Sequence, residues 1–177
     1  MHSVELIPLG TSARQLGLDE LREGITRVLP VEVHVSDIHL DMDLALDASR
    51  RQYHSTHILA MILEHASPGD SKLLGVTSWD LFIPVLTFVF GQAQLNNRAG
   101  VFSTFRLQNE FYGMRSSAKL LHERTVKEAL HELGHTFGLR HCGDYPCIMN
   151  SSTYVEDIDL KPGDFCVHCA THLHSIL

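Results

Sequence analysis

A mixed α/β fold in one folding unit is the class this sequence predicts, and three observations predict it. The chain has 177 residues, the size of one domain. Short apolar, β-branched runs alternate with stretches of helical period through most of its length. After Gly138 the pattern changes to Cys, Pro and Gly at intervals, with no periodic apolar face.

The elements follow in order. Val4 to Leu9 is a strand run closed off by Pro8 and Gly10. Asp19 to Leu29 carries Leu21, Ile25, Val28 and Leu29 at helical spacing, and Pro30 stops it. Val31 to Val35 alternates apolar and polar, as a strand does. Residues 37–51, with Asp37, Asp41, Asp43 and Asp47, are expected to form a solvated loop. Its acidic spacing lacks the glycine and distal glutamate of a calcium loop. Gln52 to His65 suits a helix. Leu73 to Trp79 is a further strand run, and Phe82 to Leu86 is apolar but broken by Pro84. Phe88 to Ala93 and Ala99 to Phe105 read as strands joined by a polar turn. A helix from about Ser117 to Phe137 ends at Gly138, and an irregular tail is expected from Leu139 onward.

Composition narrows the function classes. The chain is 44% hydrophobic and 20% charged, ordinary for a compact domain. No stretch approaches the roughly 20 apolar residues that span a bilayer. The opening residues carry no basic segment followed by an apolar core, so no signal peptide is read there. A cytoplasmic monomer without a membrane partner is expected. The formal net charge of -7 speaks against nucleic acid as a partner, because phosphate binding needs a basic face.

The chemistry is concentrated in HELGHTFGLRH, which starts at His131. His131 and His135 stand four residues apart on a helix, about 40° apart around its axis, so both rings can reach one ion. Val126, Ala129, Leu133 and Phe137 fall on the opposite side, so the helix is expected to bury that face and offer the other to a metal. Glu132 points beside the ion, where a carboxylate can take a proton from water attacking a carbonyl. A chain that must leave the helix and turn back needs a residue tolerant of positive φ, which is Gly138. His141 then supplies a third nitrogen and leaves the fourth position open, as a catalytic zinc requires. The long form of this motif fixes five residues and is far more specific than its first half.

All four cysteines, Cys142, Cys147, Cys166 and Cys169, follow this motif. Disulfide frameworks are usually spread through a secreted chain, so thiols crowded at one end read better as metal ligands. Four thiolates suit a closed, tetrahedral structural zinc. Two disulfides, a redox pair at Cys166 and Cys169, an iron–sulfur cluster, and a swap of one thiolate for His168, His172 or His174 stay open at this point. Of the other histidines, His34, His39, His54, His57, His65 and His122 read as surface or helix residues, although His54 and His57 are spaced i, i+3.

The long motif resembles that of the metzincins, zinc peptidases with a methionine in a tight turn beneath the metal. Met149 fits that turn; an ordinary core methionine is the plainer alternative. The four cysteines around Met149 resemble more closely the archaemetzincins, over His131 to Cys169. The spacer between Met149 and Cys166 is about one residue shorter than the family's. Some metzincins place a Tyr two residues after the methionine; here that position is Ser151, with Tyr154 beyond it.

The resemblance implies a compact zincin-like fold: a mixed twisted sheet with an antiparallel edge strand, an active-site helix and a zinc-stapled C-terminal region. Residues 1–177 would form one metalloprotease domain, with an upper region at 1–138 and a C-terminal region at 139–177. It implies two zinc ions, one catalytic on His131, His135 and His141 and one structural on the four cysteines. It also implies a peptide or protein substrate, laid antiparallel along an edge strand made of Phe88, Val89, Phe90, Gly91, Gln92 and Ala93. Hydrolysis of peptide bonds by a zinc-bound water that Glu132 activates is the expected activity. A peptide-binding adaptor with vestigial chemistry is the rival, and metal buffering by the His-rich surface is a third reading. No Cys precedes Cys142, so an upstream thiol that plugs the zinc is not expected.

Overall fold

A computed structural model describes residues 2–144 and 146–177. Its main sheet has five strands: β1 (Ser3–Leu9), β2 (Glu32–Val35), β5 (Lys72–Thr77), β7 (Gly91–Ala93) and β8 (Ala99–Ser103). They lie in the order β2-β1-β5-β8-β7. The first four run parallel, with Leu6 opposite Leu74 and Leu74 opposite Gly100. Only β7, at one edge, is antiparallel, with Gly91 opposite Phe102. A second, three-stranded sheet joins β3 (Leu46–Asp47), β4 (Gln52–His54) and β6 (Leu81–Phe82).

Both faces of the main sheet are covered, as parallel strands require. Side chains alternate between the two faces. Val4, Leu6, Leu74, Val76 and Phe102 pack on one side, with Leu21 and Ile25 of α1 (Leu18–Val28) and Ala129, Leu133 and Phe137 near the end of the chain's longest helix, α3 (Ala118–Thr136). Ile7, Leu9, Leu73, Ala99 and Val101 pack on the other, against Ile58, Leu59 and Ile62 of α2 (Ser55–His65). The site helix is thereby fixed on the same sheet whose edge is β7.

The structure departs from the sequence reading in four places. Residues 37–51 are not all loop. They hold a 3-10 turn at Met42–Ala45, which the Asp41 carboxylate starts by accepting from the Asp43 N–H, and then β3. The helix expected from Gln52 begins at Ser55, because the Gln52 amide is drawn to Asp80 and to the Thr87 carbonyl and Tyr53 and His54 pair with β6. Of Phe88 to Ala93, only Gly91–Ala93 is regular strand. Val89 turns to bridge Leu81 instead, and Phe90 is buried with Leu107, Val155 and Ile158. The tail is not wholly irregular. It contains α4 (Val155–Leu160) and α5 (Val167–His174), seated by Val155 and Ile158 and by Cys169 and Leu173. Among the described residues, no helix is long and apolar enough to cross a membrane.

Candidate active site

The helix α3 starts where the Ser117 hydroxyl accepts from the Leu120 N–H. Its far end is held by backbone bonds from Gly138 to His135 and from Leu139 to Gly134, with Gly138 at φ 95. Lys72 covers the Thr136 carbonyl at 2.8 Å, a cation where the helix leaves acceptors free. The Asn96 N–H reaches the His135 carbonyl at 2.9 Å and ties the β7–β8 turn to the helix end. This reversal carries His141 back beside the ring of His135.

The three imidazoles converge. Ring centroids are 4.7 Å apart for His131 and His135, 5.3 Å for His131 and His141, and 5.0 Å for His135 and His141. One nitrogen from each lies within 4.8 Å of the others, and the Nε2 atoms of His131 and His135 are 3.2 Å apart. Nitrogens about 2.0 Å from a tetrahedral zinc stand roughly 3.3 Å from one another, so this spacing fits the ion. The Nδ1 atoms of His131 and His135 face carbonyls, Ile148 O at 3.0 Å and Leu139 O at 2.7 Å. In these two rings Nδ1 donates to the carbonyl, and Nε2 keeps its lone pair for a metal. Burial holds all three rings below the usual histidine range, His131 furthest, and so keeps them neutral.

Glu132 is buried, and its Oε2 has no hydrogen-bond partner among the described residues. Burial, reinforced by the Glu128 carboxylate, raises its pKa well above the ordinary range. The backbone of β7 approaches it closely: a Cβ added at Gly91 would sit 2.5 Å from Glu132 Oε1. Glu128, one turn earlier on the same face, is pushed up to about 7 by burial, opposed by Lys161. Lys161 is itself 4% exposed, and burial lowers its pKa against the pull of Glu128 and Glu132. These groups line a cleft of about 700 Å³ with residues 86–93, the three histidines, Arg140 and residues 151–153.

Beneath the helix, Met149 is fully buried, and a Cβ at Gly134 would lie 2.5 Å from its Sδ. Asn150 holds this turn, accepting from the Cys147 N–H and donating to the carbonyls of Cys142 and Asp144. The four sulfurs beside it lie within 4.8 Å of one another, with Cys142 to Cys166 and Cys147 to Cys169 both at 3.8 Å. None is disulfide-bonded. Thiolates about 2.3 Å from a tetrahedral zinc stand roughly 3.8 Å apart, so the set fits a closed zinc site. No histidine nitrogen joins this group among the described residues. A backbone N–H holds the Cys166 thiol low, whereas burial pushes Cys142 and Cys169 up.

The structure thus brings the three histidines, Glu132 and the edge strand to one cleft, and the four cysteines to a second point next to it. The helix differs from the expectation in one respect. Ala129, Leu133 and Phe137 are buried as expected, but His131 and Glu132 are buried as well, so the site is the floor of a cleft rather than an open face. Glu128, Lys161, Asn150 and Gly134 were not singled out in the sequence, and Gly91 was named only as part of the edge strand, not for its approach to Glu132. Glu128 could have been found four residues before Glu132 on the same face. Nothing local marks Lys161.

An α/β sheet with a buried helix that offers three imidazoles and a carboxylate to a peptide-sized cleft defines the class of zinc metallopeptidases. Comparison with known proteins agrees. The family model of peptidase family M54 matches residues 29–175. The archaemetzincin of Archaeoglobus fulgidus is 39% identical over 159 residues, covering 88% of this chain and 90% of the relative. Among solved structures, archaemetzincin from Methanopyrus kandleri superposes with a TM-score of 0.85 at 33% identity, over 98% of this chain and 94% of that one. A zinc-dependent peptidase from Methanocorpusculum labreanum gives 0.82 at 30% identity, over 96% and 99%. The chain belongs to peptidase family M54.

Proposed function

We propose that the chain is a metzincin-type peptidase that carries two zinc ions, one catalytic on His131, His135 and His141 and one structural on Cys142, Cys147, Cys166 and Cys169. The catalytic zinc supplies a Lewis acid that makes water a nucleophile near neutral pH and polarises a carbonyl. Glu132 takes the proton from the attacking water and returns it to the leaving amine. Its buried, partnerless Oε2, facing the same cleft as three converging ring nitrogens, is the observation that carries this reading. A raised carboxyl pKa makes it a stronger base than an exposed glutamate.

The substrate peptide adds to β7 as an antiparallel strand, its backbone brought near Glu132 because Gly91 has no side chain. Phe88 to Ala93 form the rim that receives it. Met149 acts as a packed floor for the imidazoles, and Gly138 lets His141 return. Four thiols held as a metal site suit a reducing compartment such as the cytoplasm. The test is Glu132→Ala. The zinc-loaded variant should keep its metal, measured by elemental analysis, and lose peptide hydrolysis by two orders of magnitude or more, in line with the roughly 10²–10⁴-fold typical of general-base removal. Hydrolysis at the wild-type rate would remove Glu132 from the mechanism.

A further inference from the structure

We propose that Arg50, Gln52, Asp80 and Arg106 are positioning residues: together they fix residues 86–88, a wall of the cleft, and so set how tightly a peptide is held without entering the chemistry. The proposal rests on the peptidase reading above and extends it to residues outside the cleft. Residues 83–88 belong to neither sheet. Their backbone closes into a turn through the Leu86 N–H and the Ile83 carbonyl. Val85 and Leu86 are 84% and 50% exposed, so packing holds this turn only weakly. Yet Leu86, Thr87 and Phe88 line the cleft.

Side chains from other parts of the chain hold the wall instead. Arg50, just before β4, donates from one terminal nitrogen to the Leu86 carbonyl at 2.9 Å and to the Thr87 carbonyl at 3.0 Å. The Thr87 carbonyl also accepts from Gln52 Nε2 at 2.9 Å. The same nitrogen of Gln52 donates to Asp80 Oδ2 at 2.9 Å, and its Oε1 accepts from Arg50 Nε at 2.9 Å. The Asp80 carboxylate takes two further bonds of 2.7 Å from Arg106, a bidentate pair. The Arg106 guanidinium lies 4.0 Å from the centre of the Phe88 ring and 4.7 Å from that of Phe111. The backbone of the wall and its aromatic side chain are thus both tied to Asp80. Among the described residues, none of these four side chains hydrogen-bonds Glu132 or the three histidines. A wall ordered before the peptide arrives spares binding the cost of ordering it. Loosening it should therefore weaken the bound substrate and the transition state alike, which raises KM and leaves kcat.

The experiment compares zinc-loaded wild type with Arg50→Met, which keeps the apolar stem and removes the donors. For an internally quenched peptide that wild type cleaves, KM should rise about tenfold while kcat stays within about twofold. Two hydroxamates give a readout that needs no turnover. Acetohydroxamate reports the metal alone, and an all-leucine tripeptide hydroxamate reports the metal and the wall. By calorimetry Arg50→Met should bind the first as wild type does and the second about tenfold more weakly. Arg50→Lys, which can still donate to a carbonyl, should recover part of the loss, and it carries the same comparison if Arg50→Met does not fold. An unchanged KM, a fall in kcat alone, or equal weakening of both hydroxamates overturns the proposal. So does a tripeptide hydroxamate that binds wild type no better than acetohydroxamate. The two readings fail separately. Wild-type hydrolysis with equal weakening of both hydroxamates would keep the peptidase and discard the role of the wall. Selective weakening without any wild-type hydrolysis would do the reverse.

Discussion

Gly134 and Gly91 are positions where a single methyl group would press on the site, in each case at 2.5 Å. At Gly134 the added Cβ would press on the Met149 Sδ, which is enclosed on all sides. Gly134→Ala should cost about 1–3 kcal/mol of stability, the usual range for overpacking a filled core, measured by denaturant unfolding of the zinc-loaded protein. At Gly91 the added Cβ would meet the Glu132 carboxylate instead. Gly91→Ala should lower peptide turnover on the order of tenfold to a hundredfold, since a displacement near 1 Å is enough for that, while the unfolding midpoint moves little. Unchanged turnover would mean that the close approach of strand and carboxylate does not matter. At this scale the histidines and Glu132 were legible because their spacing is local, three of the four within two turns of one helix. Lys161 and Asn150 were not, because their roles depend on where α4 and the Met149 turn are laid against that helix.

Helix α4 is held by a few bonds that can be tested one at a time. The Asp157 carboxylate accepts from the N–H groups of Thr153 and Tyr154, both at 2.8 Å, and these hold its pKa below the usual range. Its contribution is therefore full above the unfolded value of about 3.9 and is lost as pH falls through the lower folded value. Asp157→Asn should be less stable than wild type near neutral pH, and that gap should close in acid, below both values. A gap that widens in acid would contradict the assignment. Asp159 binds Arg124 of α3 through two bonds of 2.7 Å, with the Arg124 side chain nearly inaccessible. Asp159→Ala should cost about 2–4 kcal/mol, because the guanidinium stays buried with Leu107 O and Asn109 Oδ1 left to it among the described residues. The long helix and the parallel strands were legible from their periods. The α4 and α5 helices were not, since six and eight residues give too few turns for a pattern to declare itself. The edge strand was read too long because its aromatic residues suit a strand, whereas Phe90 is taken up by packing with Leu107 and α4.

For the molecule as a whole, the two proposed metal sites should act as one fastening. Cys142 and Cys147 come from the loop after α3, Cys166 and Cys169 from the start of α5, and Cys142 adjoins His141. Elemental analysis should find two zinc per chain. Cys166→Ser should reduce this toward one, lower the thermal midpoint by several degrees, and weaken the remaining site by about tenfold, as loss of a supporting contact commonly does. Two zinc and an unchanged midpoint in that variant would count against the four-sulfur site. The α/β class, the order of elements and the two ligand clusters were legible in the sequence. The strand order was not, because the crossovers that place β5 beside β1 and β8 beside β5 are set by which faces α1, α2 and α3 cover.

The outermost strand on the cleft side is only three residues long. Its exposed margin stops at the Asn96–His135 tie on one side and at the Val89–Leu81 bridge on the other. A guest chain can form only a few main-chain bonds there, so grip must come from its side groups. A polypeptide still wound into its own native shape cannot lie flat along so narrow a ledge. Under the proposed strand addition, the expected substrate is a chain already unravelled, as a loose end or a frayed loop.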